Sequence, residues 1–139
     1  MFNRSKTIEQ ARSWLETPFH KDACLKHVGV DCVRFCMDSY KAGGVVFPKM
    51  ETLQRVHGIG GTLLLDKLND AGFFQIHNPL PGDLVVWDYS GSPAHIGILT
   101  VTNTEPNRVI HACPTMGAVY EHAMVGQWLN RINSYFTPT

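Results

Sequence analysis

Residues 28–40, "VGVDCVRFCMDSY", place Cys32 directly after an aspartate at a point where a helix begins. Asp31 suits an N-cap, which makes Cys32 the first helical residue. The unpaired backbone N–H groups of a first turn, together with the helix dipole, favour negative charge there. A thiol so placed is expected to have a lowered pKa and to act as a nucleophilic thiolate. For Cys32 taken alone, burial as a small apolar residue is the slightly better account. Burial is also the natural account of Cys36, one turn further on. Zinc ligation by Cys24, His27, Cys32 and Cys36 is a third reading, weakened by the lack of any Cys-x-x-Cys pair.

Two histidines shift the balance. His95 opens an apolar run, "HIGILTV", and His111 interrupts another, "RVIHAC". A polar imidazole in a strand that otherwise belongs in a core needs a partner. If the two strands lie side by side, the imidazoles meet, and Cys32, His95 and His111 become nucleophile, base and base-orienter. Backbone N–H groups at the helix start would then hold the oxyanion. Cys113, two residues beyond His111, projects from the same face, but a buried small residue is its simpler role.

The elements that must carry these residues follow from periodicity and turn chemistry. Thr7-Ile-Glu-Gln10 reads as a capping box, with Ile8, Ala11 and Leu15 on one helical face and Pro18 as the stop. Residues 18–30 show no period and read as loop. Val33, Cys36, Met37 and Tyr40 then fall at helical spacing, ended by Gly43-Gly44. Residues 45–61 are irregular, and Thr62 is expected to cap a third helix through "LLLDKLNDA", stopped by Gly72. Beyond it, "LVVWDY", "HIGILTVT", "RVIHAC" and "AVYEHAM" read as strands separated by "SGSP", "NTEPN" and the turn at 114–117. The tail, "GQWLNRINSYFTP", holds a helical turn and a last strand. Helices first and a meandering antiparallel sheet second make an α+β class, with one domain over residues 1–139.

Composition narrows the function. The 139 residues are 44% hydrophobic and 17% charged, enough to bury a core. Twelve Lys+Arg balance twelve Asp+Glu. That balance, without like-charge runs, argues against nucleic acid or a membrane surface as partner. The N-terminus lacks the apolar core of a secretory signal, and no stretch reaches membrane-span length. The expectation is a protein made in the cytoplasm, its four cysteines reduced. Trp14, Trp87 and Trp128 read as packing, not as a sugar platform. His20, His27, His57, His77 and His122 read as surface residues, and Asp83 and Asp88 as turn and edge polarity.

Taken in order, five segments resemble one family. They are "TPF" at 17–19, "GVDCVRF" at 29–35, "PGDLVVW" at 81–87, "AHIGIL" at 94–99 and "VIHA" at 109–112. They are similar to the NlpC-type cell-wall peptidases, papain-like cysteine endopeptidases of bacteria and their phages. "GAVYEHAM" and "RINSYFTP" look like the phage-encoded branch, and the resemblance covers nearly the whole chain. It implies Cys32 as nucleophile, His95 as general base and acid, and His111 as the orienter of His95, with no metal or organic cofactor. The substrate it implies is the peptidoglycan stem peptide, cut in many members between γ-D-glutamate and diaminopimelate. It further implies action at the bacterial cell wall, with phage tail proteins among the partners and a phage particle, a holin route or a secretion machine as the vehicle.

Departures from the family pattern mark further site candidates. Phe19 stands where members commonly place a tyrosine whose hydroxyl helps hold the oxyanion; losing one such donor costs ~10²–10³ in rate. Val33-Arg34 replaces Ser-Gly, and Arg34 either steers an anionic stem peptide or is a solvated residue. Asp22 stands where the phage branch tends to have glutamine. Phe19, Asp22, Asp31 and Arg34 are thus the candidates for oxyanion and substrate pocket. Two rivals stay open: a weak or inactive copy of the fold serving as a structural part of a phage tail tip, and another amidase or acyl-transfer enzyme on the same scaffold.

Overall fold

The chain begins its first helix earlier than the Thr7 capping box predicts. In the computed structural model, which describes residues 2–47 and 63–138, α1 spans Arg4–Arg12 and is capped by Asn3, whose side chain accepts from the Lys6 amide. The reason is tertiary. The Asn3 amide donates to the Gly43 carbonyl at 2.7 Å, tying the start of α1 to the far end of the next long helix. Thr7 is buried inside α1 instead.

Residues expected as loop contain a small hairpin, β1 (Cys24–Leu25) and β2 (Gly29–Val30). It leads into α2 (Cys32–Ala42), where Asp31 is the N-cap and accepts from the Arg34 amide, as its position predicts. The apolar face of α2 (Val33, Cys36, Met37 and Tyr40) is buried. Helix α3 (Leu63–Asp70) follows and ends at Gly72, whose φ of +94° is the left-handed turn the glycine predicts. The expected Thr62 cap and surface His57 lie outside the described residues.

The C-terminal half is a six-stranded antiparallel sheet. Its strands are β3 (Phe74–Ile76), β4 (Leu84–Tyr89), β5 (Ser92–Val101), β6 (Arg108–Cys113), β7 (Ala118–Ala123) and, after the short α4 (Gln127–Asn130), β8 (Ile132–Thr137). Their spatial order is β3-β8-β4-β5-β6-β7. The β4-to-β7 meander is the predicted one. Strand β3 was not legible, because "FQI" is short and carries no alternation. Strand β5 also starts three residues before His95. Ser90 and Gly91 both have positive φ and make the two-residue hairpin turn, so Ser92, Pro93 and Ala94 belong to the strand. Helices first and an antiparallel sheet second give the α+β class that the sequence predicts.

Alternation divides the sheet's two faces. Leu84, Val86, Ile96, Ile98, Ile110 and Ala112 pack with the helices in the main core, whereas Val85, Trp87, Leu99, Val109 and Met124 form a second cluster beneath Trp128. Asp83, read as turn polarity, is buried and bound by Arg4 at 2.8 Å, which ties α1 to the start of β4.

Candidate active site

Cys32 lies at the first turn of α2, where it is only 3% exposed. The backbone N–H groups of Ile96 on β5, of Cys32 itself and of Val33 pull its pKa down. These donors favour the thiolate, but they do not win. Burial, reinforced by the neighbouring Asp31 charge, pushes the thiol up to about 12. The expectation of a lowered pKa from the helix start is therefore overturned: desolvation outweighs the first-turn N–H groups. The resting group is a thiol.

His95 is beside it. Phe19, Cys32, Tyr89, Ala94, His95 and Pro114 line one cleft of about 170 Å³. His95 pairs directly across the ladder with Trp87, and the two rings stack at 5.2 Å with an 18° interplanar angle. His95 Nε2 lies 2.8 Å from His111 Nδ1, so the structure brings together the two imidazoles the strand pattern paired. His111 is fully buried. Its pKa is held well below the ordinary imidazole value by burial first, then by His95 and His122.

Gly97 makes this geometry possible. A Cβ there would lie 2.9 Å from the Trp87 indole and 3.0 Å from His111 Cβ. The bare backbone lets the indole slide beneath the imidazoles. Trp87 donates from Nε1 to the Trp128 carbonyl at 2.8 Å, and Trp128 packs edge-on to His111 at 4.7 Å. The tryptophans are packing residues, as read from sequence: Trp14 in the main core, and Trp87 and Trp128 against the imidazole pair.

His122 is not a surface residue. Its Nε2 lies 2.7 Å from His111 Nε2, and its Nδ1 lies 2.8 Å from the Ala123 carbonyl. A usable signal was present. A turn at 114–117 pairs Cys113 with Ala118, and the register then sets His111 opposite Tyr120 and His122 opposite Val109. His111 and His122 become diagonal neighbours on one face.

The remaining candidates separate into two places. Phe19 reaches the cleft because residues 16–19 run along the β7 edge, with Phe19 N–H donating to Gly117 and Val119 N–H to Thr17. Asp22, Asp31 and Arg34 are not among the cleft residues. Asp31 is fully buried and accepts from the amides of Asp22 and Arg34 at 2.8 and 2.9 Å. Arg34 reaches Asp31 at 2.6 Å and the exposed Asp22 at 3.3 Å. This cluster braces the helix start. Tyr89, which sequence reasoning passed over, lines the cleft with its ring edge toward His95 at 5.9 Å. Cys113 is buried against Thr115, and Cys36 lies in the core. Among the described residues, no group of three or more His, Cys, Asp or Glu is arranged to hold a metal ion.

A helix-borne thiol that shares a cleft with a histidine on an antiparallel sheet is the arrangement of the papain-like class. Residues 16–135 match the family model described as the NlpC/P60 family, and the chain belongs to that family. Solved structures agree in fold. An NlpC/P60 family protein from Bacillus cereus ATCC 10987 superposes with a TM-score of 0.66 at 16% identity, covering 95% of this chain and 39% of that one. The NlpC/p60 domain of peptidoglycan hydrolase SagA gives 0.60 at 19% identity, over 97% and 98%. NlpC1 from Trichomonas vaginalis gives 0.63 at 14% identity, over 96% and 44%. The chain thus spans about two fifths of the length of the Bacillus and Trichomonas proteins. No curated protein sequence matches it.

Proposed function

We propose that the protein is a cysteine endopeptidase that hydrolyses amide bonds in peptidoglycan stem peptides, with the γ-D-glutamyl–diaminopimelate bond as the first to test. Carrying this reading is one observation: the Cys32 thiol and the His95 imidazole share a cleft, with His95 held from behind by His111. Membership of the NlpC/P60 family supports it. So does likeness to a domain of a protein named as a peptidoglycan hydrolase.

His95 is the general base that takes the proton from Cys32 Sγ as the sulfur attacks the amide carbonyl. Because Nε2 faces His111, the proton enters at Nδ1. The Cys32 and Val33 N–H groups at the open first turn of α2 receive the oxyanion. His95 then passes its proton to the leaving amine, and water hydrolyses the thioester. Phe19 offers no hydroxyl, so the cleft's polar side-chain donor is assigned to Tyr89.

Action at the cell wall, and a phage-tail setting with tail proteins as partners, extend this reading. They rest on the likeness of "GVDCVRF" and the C-terminal segments to phage-encoded members. A second reading, a catalytically weak structural component of a tail tip, is favoured by Phe19 and by the high thiol pKa. Mass spectrometry of purified muropeptides incubated with wild type and Cys32→Ala separates them. New fragments from wild type alone establish the peptidase and name the bond by mass. No fragments across a wide pH range and several stem-peptide types would sink it in favour of the structural role.

A further inference from the structure

Three imidazoles in a row raise a question that a pair does not: which way do the hydrogens point? The row ends on the Ala123 carbonyl, which only accepts, so His122 Nδ1 carries a hydrogen. A neutral His122 then presents Nε2 as an acceptor, and the 2.7 Å contact requires His111 Nε2–H to donate to it. A neutral His111 in turn presents Nδ1 as an acceptor, so His95 Nε2–H donates across 2.8 Å. The chain has one direction, and its last consequence is at His95. With the hydrogen on Nε2, the lone pair of the neutral ring is on Nδ1.

We propose that His122 is a positioning residue that, anchored on the Ala123 carbonyl, selects the tautomer of His111 and through it keeps His95 Nδ1 unprotonated as the base for Cys32. The proposal rests on the cysteine-peptidase reading for the word base, while the tautomer itself is a property of the resting protein. No proton travels along the chain. The one transferred from Sγ stops at His95 Nδ1, and both Nε2–H of His95 and Nε2–H of His111 stay where they are. The same orientation serves the neutral base and the imidazolium, so no hydrogen has to turn during the reaction.

His111 cannot choose alone. It is fully buried, and its two neutral tautomers differ only in which ring nitrogen donates. If His111 carried its hydrogen on Nδ1, it would face His95 Nε2 as a donor and force the His95 hydrogen onto Nδ1, occupying the lone pair. His122 removes that alternative, and its own choice is made by main chain, which does not titrate. Trp128 holds the assembly, with its ring 4.7 Å from His111 and 5.4 Å from His122. Strand register supplies the rest, since the 114–117 turn fixes His122 diagonal to His111.

Long-range ¹H–¹⁵N spectra of the imidazole rings read the tautomers without any substrate, so their outcome is independent of whether peptidoglycan is cleaved. Wild type is expected to show His95 and His111 as Nε2–H and His122 as Nδ1–H. In His122→Phe, which cannot accept, His111 should show mixed tautomers. Alkylation of Cys32 by iodoacetamide at neutral pH should then slow in proportion to the share of His95 left with its hydrogen on Nδ1, about 2-fold to 10-fold for a mixed population. His122→Gln, whose side-chain oxygen accepts at the same place, should restore both. Wild-type spectra with His95 protonated on Nδ1 overturn the proposal whatever the variants do. So does a folded His122→Phe protein with unchanged tautomers and alkylation rate.

Discussion

The Arg34 guanidinium lies 2.6 Å from the Asp31 carboxylate, neutralising a fully buried charge one residue before the thiol. Asp31 caps α2 and holds the Asp22 amide, so it serves the backbone on both sides. Removing Arg34 leaves that carboxylate buried without its cation, which typically costs about 3–5 kcal/mol. Arg34→Ala should therefore show its main effect in urea unfolding, with Arg34→Lys losing less. An unchanged midpoint for Arg34→Ala would return Arg34 to the role of substrate steering.

Cys32→Ala should abolish muropeptide hydrolysis while leaving the thermal midpoint close to wild type, because the substitution removes a thiol with no paired charge from a cleft wall. Mass spectrometry and a melting curve on one preparation check both halves. Severe unfolding would make Cys32 a packing residue.

His111 makes the fold sensitive to acid. Its folded pKa lies well below the ordinary 6.5, through burial and the neighbouring imidazoles. Below 6.5 the unfolded chain takes up a proton that the native His111 refuses, so stability rises with pH through that value and is lost as pH falls below it. Denaturation curves between mildly alkaline and acid pH should show a steeper acid loss for wild type than for His111→Asn. Parallel slopes would mean that His111 accepts a proton in the fold.

Gly97→Ala puts a methyl group 2.9 Å from the Trp87 ring and 3.0 Å from His111 Cβ, both buried. Overpacking of this kind costs about 1–3 kcal/mol. Because both displaced rings hold His95 or its partner, hydrolysis should fall by more than the stability change explains. Activity assayed well below the variant's melting temperature tests this, and full activity there would detach the indole from the chemistry.

Tyr89→Phe removes the hydroxyl from the cleft wall without changing the ring that packs against His95. A lost oxyanion or substrate donor lowers kcat ~10²–10³-fold, and Phe19→Tyr in the same background should recover part of it. A change confined to KM would assign Tyr89 to substrate binding alone.

Much of the site was legible before the fold. A cap residue beside a cysteine announces a helix start, and imidazoles inside apolar strands announce each other, so α2, the β4-to-β7 meander and the His95–His111 pair follow from local patterns. What was not legible depends on distance in sequence. Asn3 replaces Thr7 as the cap because α1 docks on Gly43, and no window of residues contains both. His122 joins the chain through a diagonal across a hairpin, visible only once the register is counted. The thiol pKa moved opposite to expectation because helix-start polarity is local and burial is not. Tyr89 escaped notice for a similar reason, since its strand end becomes a cleft wall only when the first turn of α2 is placed against β5.

Each end of the six-stranded sheet is guarded differently. At one end β3 runs for three residues, and at the other the backbone of residues 16–19 is bonded to Gly117 and Val119 beside β7. Long unpaired ladders invite a second chain to add itself as a strand, the first step toward fibres and inclusion bodies. A sheet bounded this way gives an incoming strand little to grip, which favours concentrated solutions free of edge-to-edge polymer. The segment that delivers Phe19 to the cleft is thereby also a guard against self-association.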